Sequence, residues 1–335
     1  MAAHRPNQML YLAGDIGGTK TRIGLFARGK TRPVKKAVKT FESPRFRSLE
    51  SIIAEFMAED HPAIAAACFG IAGPVLDGKS HTTNLPWSVS ETQLSRRFSW
   101  PNVRLVNDLV ATALAVPLLR ADETETLLAG KRGAAGNRIV VAPGTGLGLS
   151  MLVVRKDDAV PVPSEAGHVD FAPVCEEQVD LWRFLRRRYG HVSAERILSG
   201  GGLVNIYSWL RDSGRYQEPG WLAREMEATD PAEAVSRAAA EQRTPIAVAA
   251  LRRFSSILGA VAGNLALTAL ATGGVYLGGG IPPKILPFLQ EKTFSEAFLA
   301  KGRFRDLLRQ VPVKVILEDR AALLGAALCA AKAAS

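Results

Sequence analysis

The chain has 335 residues, 47% of them apolar and 22% charged, with a net charge of +10 and a pI of about 9.7. That length is too great for one small core and suits two domains, and the composition is that of a soluble globular protein. The positive charge admits nucleic-acid binding, but the basic residues are scattered, with small clusters only at 32–39 and 183–188, and no zinc-finger, RNP or recognition-helix pattern accompanies them.

The opening MAAHRPNQML lacks the apolar stretch of a signal peptide. Strands are predicted at 10–13 and 22–26, the second with clear alternation. Residues 48–59 read as an amphipathic helix with Leu49, Ile52, Ile53, Phe56 and Met57 on one stripe. A short apolar strand at 65–71 ends in Gly-Ile-Ala-Gly-Pro. Ser90 is expected to cap the next helix, with Gln93 as its capping-box partner. Residues 103–106 form a further strand with Asn107-Asp108 at its end, and 109–119 a helix broken or kinked at Pro117.

A change of composition at 118–123 marks a plausible domain boundary. Beyond it, strand 138–142, turn 143–146 and strand 147–154 repeat the opening theme, which points to an internal duplication that is weak residue by residue. Asp230-Pro231-Ala232-Glu233 supplies an N-cap, a proline at the first helical position and an acid in the first turn. Thr244-Pro245 starts another helix, running towards Thr272, and a strand at 275–277 enters Gly278-Gly279-Gly280. Residues 257–280 carry no charge, but Gly259, Gly263, Asn264 and Gly273-Gly274 interrupt them. The helical part, 257–271, falls short of the ~20 residues of a membrane span, so a buried core helix followed by a buried strand is expected. None of Cys68, Cys175 and Cys329 sits in a CxxC pair, so neither a disulfide framework nor a Cys-based zinc site is expected. Mixed strands and helices argue for an α/β fold, and the whole for a reduced, cytoplasmic protein with no membrane or nucleic-acid partner.

Three glycine-rich stretches, 14–20, 144–148 and 278–280, need a reason. Glycine lets backbone N–H groups approach a ligand closely, and amides with a Thr hydroxyl and a Lys make an anion cradle. A Walker A loop, GxxxxGK[ST] before a helix, is excluded, because Thr19 precedes Lys20 and a strand follows. A Rossmann GxGxxG is excluded at 144–148 by its spacing and again by a following strand. A phosphate-binding hairpin remains, with Asp15 at its edge able to hold Mg²⁺ through water. An empty Asp-Gly turn explains any single stretch as well; two such hairpins and a third glycine cluster favour phosphate.

Asp15-Ile16-Gly17-Gly18-Thr19-Lys20-Thr21-Arg22 resembles the first phosphate loop of the hexokinase/actin/Hsp70 ATPase superfamily, and Ala142-Pro143-Gly144-Thr145-Gly146-Leu147-Gly148 the second. SEAGHVDFAP (164–173), HVSAERILSGGGLVNIY (191–207), TNLPW (83–87) and LGGGIPPK (277–284) are similar to the bacterial glucokinase family, in that family's order from about residue 10 to 327. The zinc-containing ROK sugar kinases carry a Cys cluster that three scattered cysteines do not supply. Ala166 stands where Gly is usual, Pro143 precedes the second loop, and Lys20 stands where some members have Asn; none of these removes a catalytic group.

The resemblance implies an RNase H-like (actin-like ATPase/hexokinase) fold of two α/β domains with a central cleft, a small one at 1–118 plus 319–335 and a large one at 119–318. It implies transfer of the ATP γ-phosphate to the 6-hydroxyl of D-glucose, with Mg²⁺, Asp108 as general base, and closure around the sugar. Asn107, Asp108, Glu165, His168 and Glu195 are the implied glucose contacts. The nucleotide falls to Asp15, Gly17, Gly18, Thr19 and Lys20, to Gly144, Thr145 and Gly146, and to Gly278, Gly279 and Gly280 on the adenosine side. Taken singly, Asn107-Asp108 would be a helix cap, His168 a structural histidine and Glu195 a solvated helix residue. A homodimer is also implied. The rivals are a kinase for fructose or mannose, and a sugar sensor without catalysis. Sensors of that kind carry an N-terminal helix-turn-helix, for which a first strand at Leu10 leaves no room.

Overall fold

The opening hairpin is the seed of the first sheet. Strands β1 (Leu10–Ile16) and β2 (Lys20–Ala27) pair antiparallel, setting Asp15 opposite Arg22 and Ile16 opposite Thr21. The computed structural model describes residues 9–58, 62–82, 85–156 and 158–334, so Glu59, at the end of the first expected helix, and Thr83-Asn84 of the TNLPW stretch lie outside the described residues. The chain divides into two units, one ending at Arg120 and resuming at Glu318, the other spanning Ala121–Leu317.

In the first unit, β3 (Val34–Glu42) pairs with β2 as an edge strand. Most of its side chains are exposed, so it carries no apolar alternation from which to read a strand; its lysines discourage further pairing. Helix α1 (Leu49–Phe56) is capped by Ser48, whose hydroxyl accepts from Ser51 N while Ser51 returns the bond. Then come β4 (Ile64–Ile71), the small hairpin β5 (Lys79–His81) and β6 (Ser88–Ser90), α2 (Glu91–Phe98), β7 (Val103–Asn107) and α3 (Asp108–Ala115). Helix α3 gives way to a 3-10 turn at Pro117, as a proline there requires.

The capping box expected at Ser90 and Gln93 does not form. Ser90 is still a buried strand residue paired with Lys79, and its hydroxyl takes no bond from the helix it precedes.

The sheet order is β3-β2-β1-β4-β7, with β1, β4 and β7 parallel. Alternation divides it: Leu12, Ile23, Phe69 and Leu105 pack with Ile52 and Ile53 of α1 on one face. Tyr11, Ala13 and Cys68 pack with Leu323, Ala326, Ala327 and Ala330 of the C-terminal helix, Ala321–Ala333, on the other. A Cβ on Gly325 of that helix would lie 1.7 Å from the Ala111 carbonyl oxygen of α3, so the two helices meet backbone to backbone. Two of the sequence's scattered cysteines meet here: the neighbouring Cys329 thiol, together with burial, holds the Cys68 thiol well above its ordinary value.

The second unit repeats the topology. Its strands are β8 (Thr124–Leu128), β9 (Arg138–Pro143), β10 (Leu147–Arg155), β11 (Asp158–Ser164), β12 (Gly274–Leu277) and β13 (Val313–Ile316). They order as β11-β10-β9-β12-β13-β8. In both units an antiparallel run of three adjoins two strands parallel to its inner member. The duplication that is faint in the residues is plain in the strand order. Helices α4 (Glu176–Tyr189), α5 (Gly200–Asp212), α6 (Gly220–Ala228), α7 (Pro231–Ala240) and α8 (Pro245–Thr268) lie between β11 and β12. The short helices α9 (Leu286–Leu289), α10 (Lys292–Leu299) and α11 (Arg305–Leu308) precede β13.

Helix α8 starts at Pro245 as expected and runs 24 residues, and taken whole, beyond the uncharged part, it is long and apolar enough to cross a membrane. Its placement as a core element comes from burial: 72% of its most apolar window is enclosed, with Phe254, Ile257 and Leu258 in the core. Gly259 and Gly263 do not interrupt it, because they serve packing. A Cβ on Gly259 would lie 2.3 Å from the Phe294 carbonyl oxygen of α10.

Candidate functional site

In the first unit, the parallel register brings Ile16, Ile71 and Asn107 into one row across the ends of β1, β4 and β7. The carboxyl ends of such strands are where open α/β sheets bind ligands. The turn between β1 and β2 holds Gly17, Gly18 and Thr19, with Gly17 N donating to Lys20 O at 3.0 Å. Thr19 and Lys20 are exposed. Ser43 braces the turn: its hydroxyl donates to Gly17 O at 2.8 Å, its amide donates to Thr19 O at 3.0 Å, and it shares a bond with Thr21 Oγ1.

Asp15 is a strand residue, not a turn residue. Its Oδ2 accepts from Arg22 Nη1 at 3.5 Å, and Arg22 also donates to the backbone and carboxylate oxygens of Asp319 at 2.8 Å each. Burial pushes the Asp15 carboxyl above its ordinary value, outweighing the pull of Arg22. One carboxylate, with Oδ1 making no hydrogen bond among the described residues, fits a water-mediated contact to Mg²⁺ delivered with a nucleotide. Among the described residues no group of three or more His, Cys, Asp or Glu is placed to hold a metal by itself.

Asn107 does cap its helix. Its Oδ1 accepts from Leu109 N at 2.9 Å and Val110 N at 3.4 Å, and its Nδ2 donates to Gly73 O at 3.1 Å. An amide side chain has a second N–H, so capping leaves it one donor for a ligand. Asp108 is the first residue of α3, its Oδ1 accepting from Leu109 N at 2.9 Å.

In the second unit, residues 144–146 form the turn between β9 and β10, closed by Gly144 N donating to Gly146 O at 2.8 Å. Gly279 has φ +78°, and a Cβ there would lie 2.5 Å from Pro143 O, so no side chain fits. Thus the third glycine cluster lies against the second hairpin, at the carboxyl end of β12. A cavity of about 230 Å³ opens beside them, lined by Gly144, Thr145, Gly280, Lys284, Asp230 and Ser236 among others.

Glu165 precedes a 3-10 turn, Ala166–His168, closed by His168 N donating to Glu165 O at 3.0 Å. Backbone bonds from Ala194 N to Val169 O and from Phe171 N to Val192 O tie this turn to the segment carrying Glu195. Glu195 Oε1 therefore lies 3.9 Å from His168 Nδ1, with the His168 side chain 61% and the Glu195 side chain 30% exposed. Glu195 Oε2 accepts from Leu147 N at 2.9 Å, the first amide beyond the hairpin.

Arg22, Ser43 and Asp319, which brace the first hairpin, differ in how far the sequence signals them. Arg22 could be found by counting outward from the turn, since it faces Asp15 across the hairpin. Ser43 and Asp319 lie 26 and 297 residues from their partners, and no local pattern signals them.

The family model described as Glucokinase matches residues 12–333. A glucokinase of Nostoc sp. is 37% identical over 341 residues, covering 96% of this chain and 99% of its own. A solved glucokinase from an Antarctic psychrotroph superposes with a TM-score of 0.86 at 31% identity, over 96% of this chain and 99% of that one. A glucokinase from Balamuthia mandrillaris, solved with glucose, shares the fold with a TM-score of 0.77 at 22% identity, over 99% and 96%.

Proposed function

Because this chain belongs to the glucokinase family and is a glucose kinase, we propose that Asp108 accepts the proton of the glucose 6-hydroxyl as that oxygen attacks the γ-phosphorus of ATP. The new O–P bond forms as the bond from the γ-phosphorus to the β–γ bridging oxygen breaks, giving glucose 6-phosphate and ADP. Asp108 is held for this by its place at the head of α3. Asn107 keeps one amide N–H for a sugar hydroxyl, while Glu165, His168 and Glu195 offer the paired donors and acceptors a sugar needs.

Residues 17–20 and 144–146 receive the phosphates on backbone amides, Thr hydroxyls and Lys20. The 230 Å³ cavity beside Gly278–280 receives the nucleoside. Asp15 would hold a nucleotide-bound Mg²⁺ through water, and the ion would neutralise charge on the phosphate oxygens. The same reading makes the enzyme cytoplasmic and homodimeric.

The observation that carries this reading is the convergence of Glu165, His168 and Glu195 beside the second glycine hairpin. It is tested by a coupled assay with ATP, Mg²⁺ and a panel of hexoses. Glucose should be turned over with the highest kcat/KM. Preference for mannose or fructose would move the substrate, and absence of turnover with sugar still bound would leave a sensor.

A further inference from the structure

The segment 195–200 grips the second hairpin at both ends. At one end Glu195 Oε2 takes the Leu147 amide proton at 2.9 Å. At the other, Gly200 N donates to Gly144 O at 2.8 Å. Between these points Ser199 stiffens the segment, its hydroxyl donating to Glu195 O at 2.8 Å and accepting from Gly202 N at 3.0 Å. The fit leaves no slack: a Cβ on Gly146 would lie 2.5 Å from Glu195 Oε2, and one on Gly167 would lie 2.0 Å from Leu147 O. So the turn that bears His168, the side chain of Glu195 and the residue ending the hairpin form one packed group.

We propose that Glu195 has a second role, as the positioning residue that locks the Gly144–Gly146 hairpin in its nucleotide-receiving shape, so that one carboxylate serves the sugar through Oε1 and the phosphate loop through Oε2. This rests on the kinase reading above and adds a coupling to it. A sugar hydroxyl bonded to Oε1 holds the carboxylate in the orientation that keeps Oε2 on Leu147 N. Linkage makes the effect reciprocal, so nucleotide on the ordered hairpin strengthens sugar binding by the same factor.

The test is calorimetric titration of ADP with Mg²⁺ into sugar-free enzyme, alongside KM for glucose. Glu195→Ala should weaken ADP about tenfold, the worth of one hydrogen bond to a charged group, and should also raise the glucose KM. Glu195→Gln keeps an oxygen that can accept from Leu147 N, so its ADP affinity should return to within about twofold of wild type while its glucose KM stays high. Glu165→Gln, whose carboxylate makes no bond to the hairpin, should raise the glucose KM and leave ADP affinity unchanged. Wild-type ADP affinity in Glu195→Ala, or equal ADP loss in Glu195→Ala and Glu195→Gln, would overturn the positioning role and leave the kinase reading standing. Failure of the wild type to bind either ADP or glucose would instead overturn the kinase reading and the inference with it.

Discussion

Asp15 is where burial and pairing oppose each other most directly. Its carboxyl is raised by burial despite Arg22, so the ionised form is less favourable in the fold than in the unfolded chain. The native state therefore binds the proton more readily, and stability falls as pH rises from the ordinary carboxylate value, about 3.9, through the raised one. Asp15→Asn should accordingly melt above wild type at pH 7–8, with the difference closing towards pH 4, and should lose turnover. Scanning calorimetry across pH checks this; a lower melting point at neutral pH would mean that Arg22 outweighs burial. At this scale the sequence was legible wherever a residue sits next to its motif, as Asp15, Asn107 and Glu165 do. It was least legible where one side chain holds two partners. Asn107 is a cap and a candidate ligand at once, and the tie from Glu195 to Leu147 spans 48 residues.

Among the elements, the hairpins were readable because glycine, threonine and strand alternation all lie within a dozen residues. Strand β3 was not, because an edge strand with polar faces has no period to detect. Gly259 and Gly263 read as interruptions of α8 because a glycine that admits a neighbouring helix is written in the sequence like one that ends a helix. Gly325 shows the same packing logic in the unit that carries Asp108. With the Ala111 carbonyl 1.7 Å from where a Cβ would stand, Gly325→Ala must push the C-terminal helix off α3. Overpacking of this kind costs about 1–3 kcal/mol, which urea unfolding would register. Because α3 begins at Asp108, kcat should fall as well. Wild-type stability and turnover in Gly325→Ala would show that the helix contact is looser than its geometry.

At the scale of the whole molecule, the net charge of +10 is a poor guide to partners. The cluster at 183–188 is partly spent on ion pairs and rings: Arg183 pairs with Asp180, Arg188 with Asp212, and Arg186 lies over Trp182. Lys35, Lys36 and Lys39 are exposed on an edge strand. What organises the molecule is the repeated sheet, each copy carrying a glycine hairpin beside its parallel strands. Asp108 lies in the first copy, and Glu165, His168 and Glu195 lie in the second. The most direct measurement is glucose 6-phosphate formation from ATP, Mg²⁺ and glucose by wild type and Asp108→Asn. The asparagine keeps an oxygen for Leu109 N but cannot take the proton. The account predicts that kcat falls roughly 10²–10⁴-fold, with glucose KM little changed and the fold intact; undiminished kcat in the folded variant would contradict it.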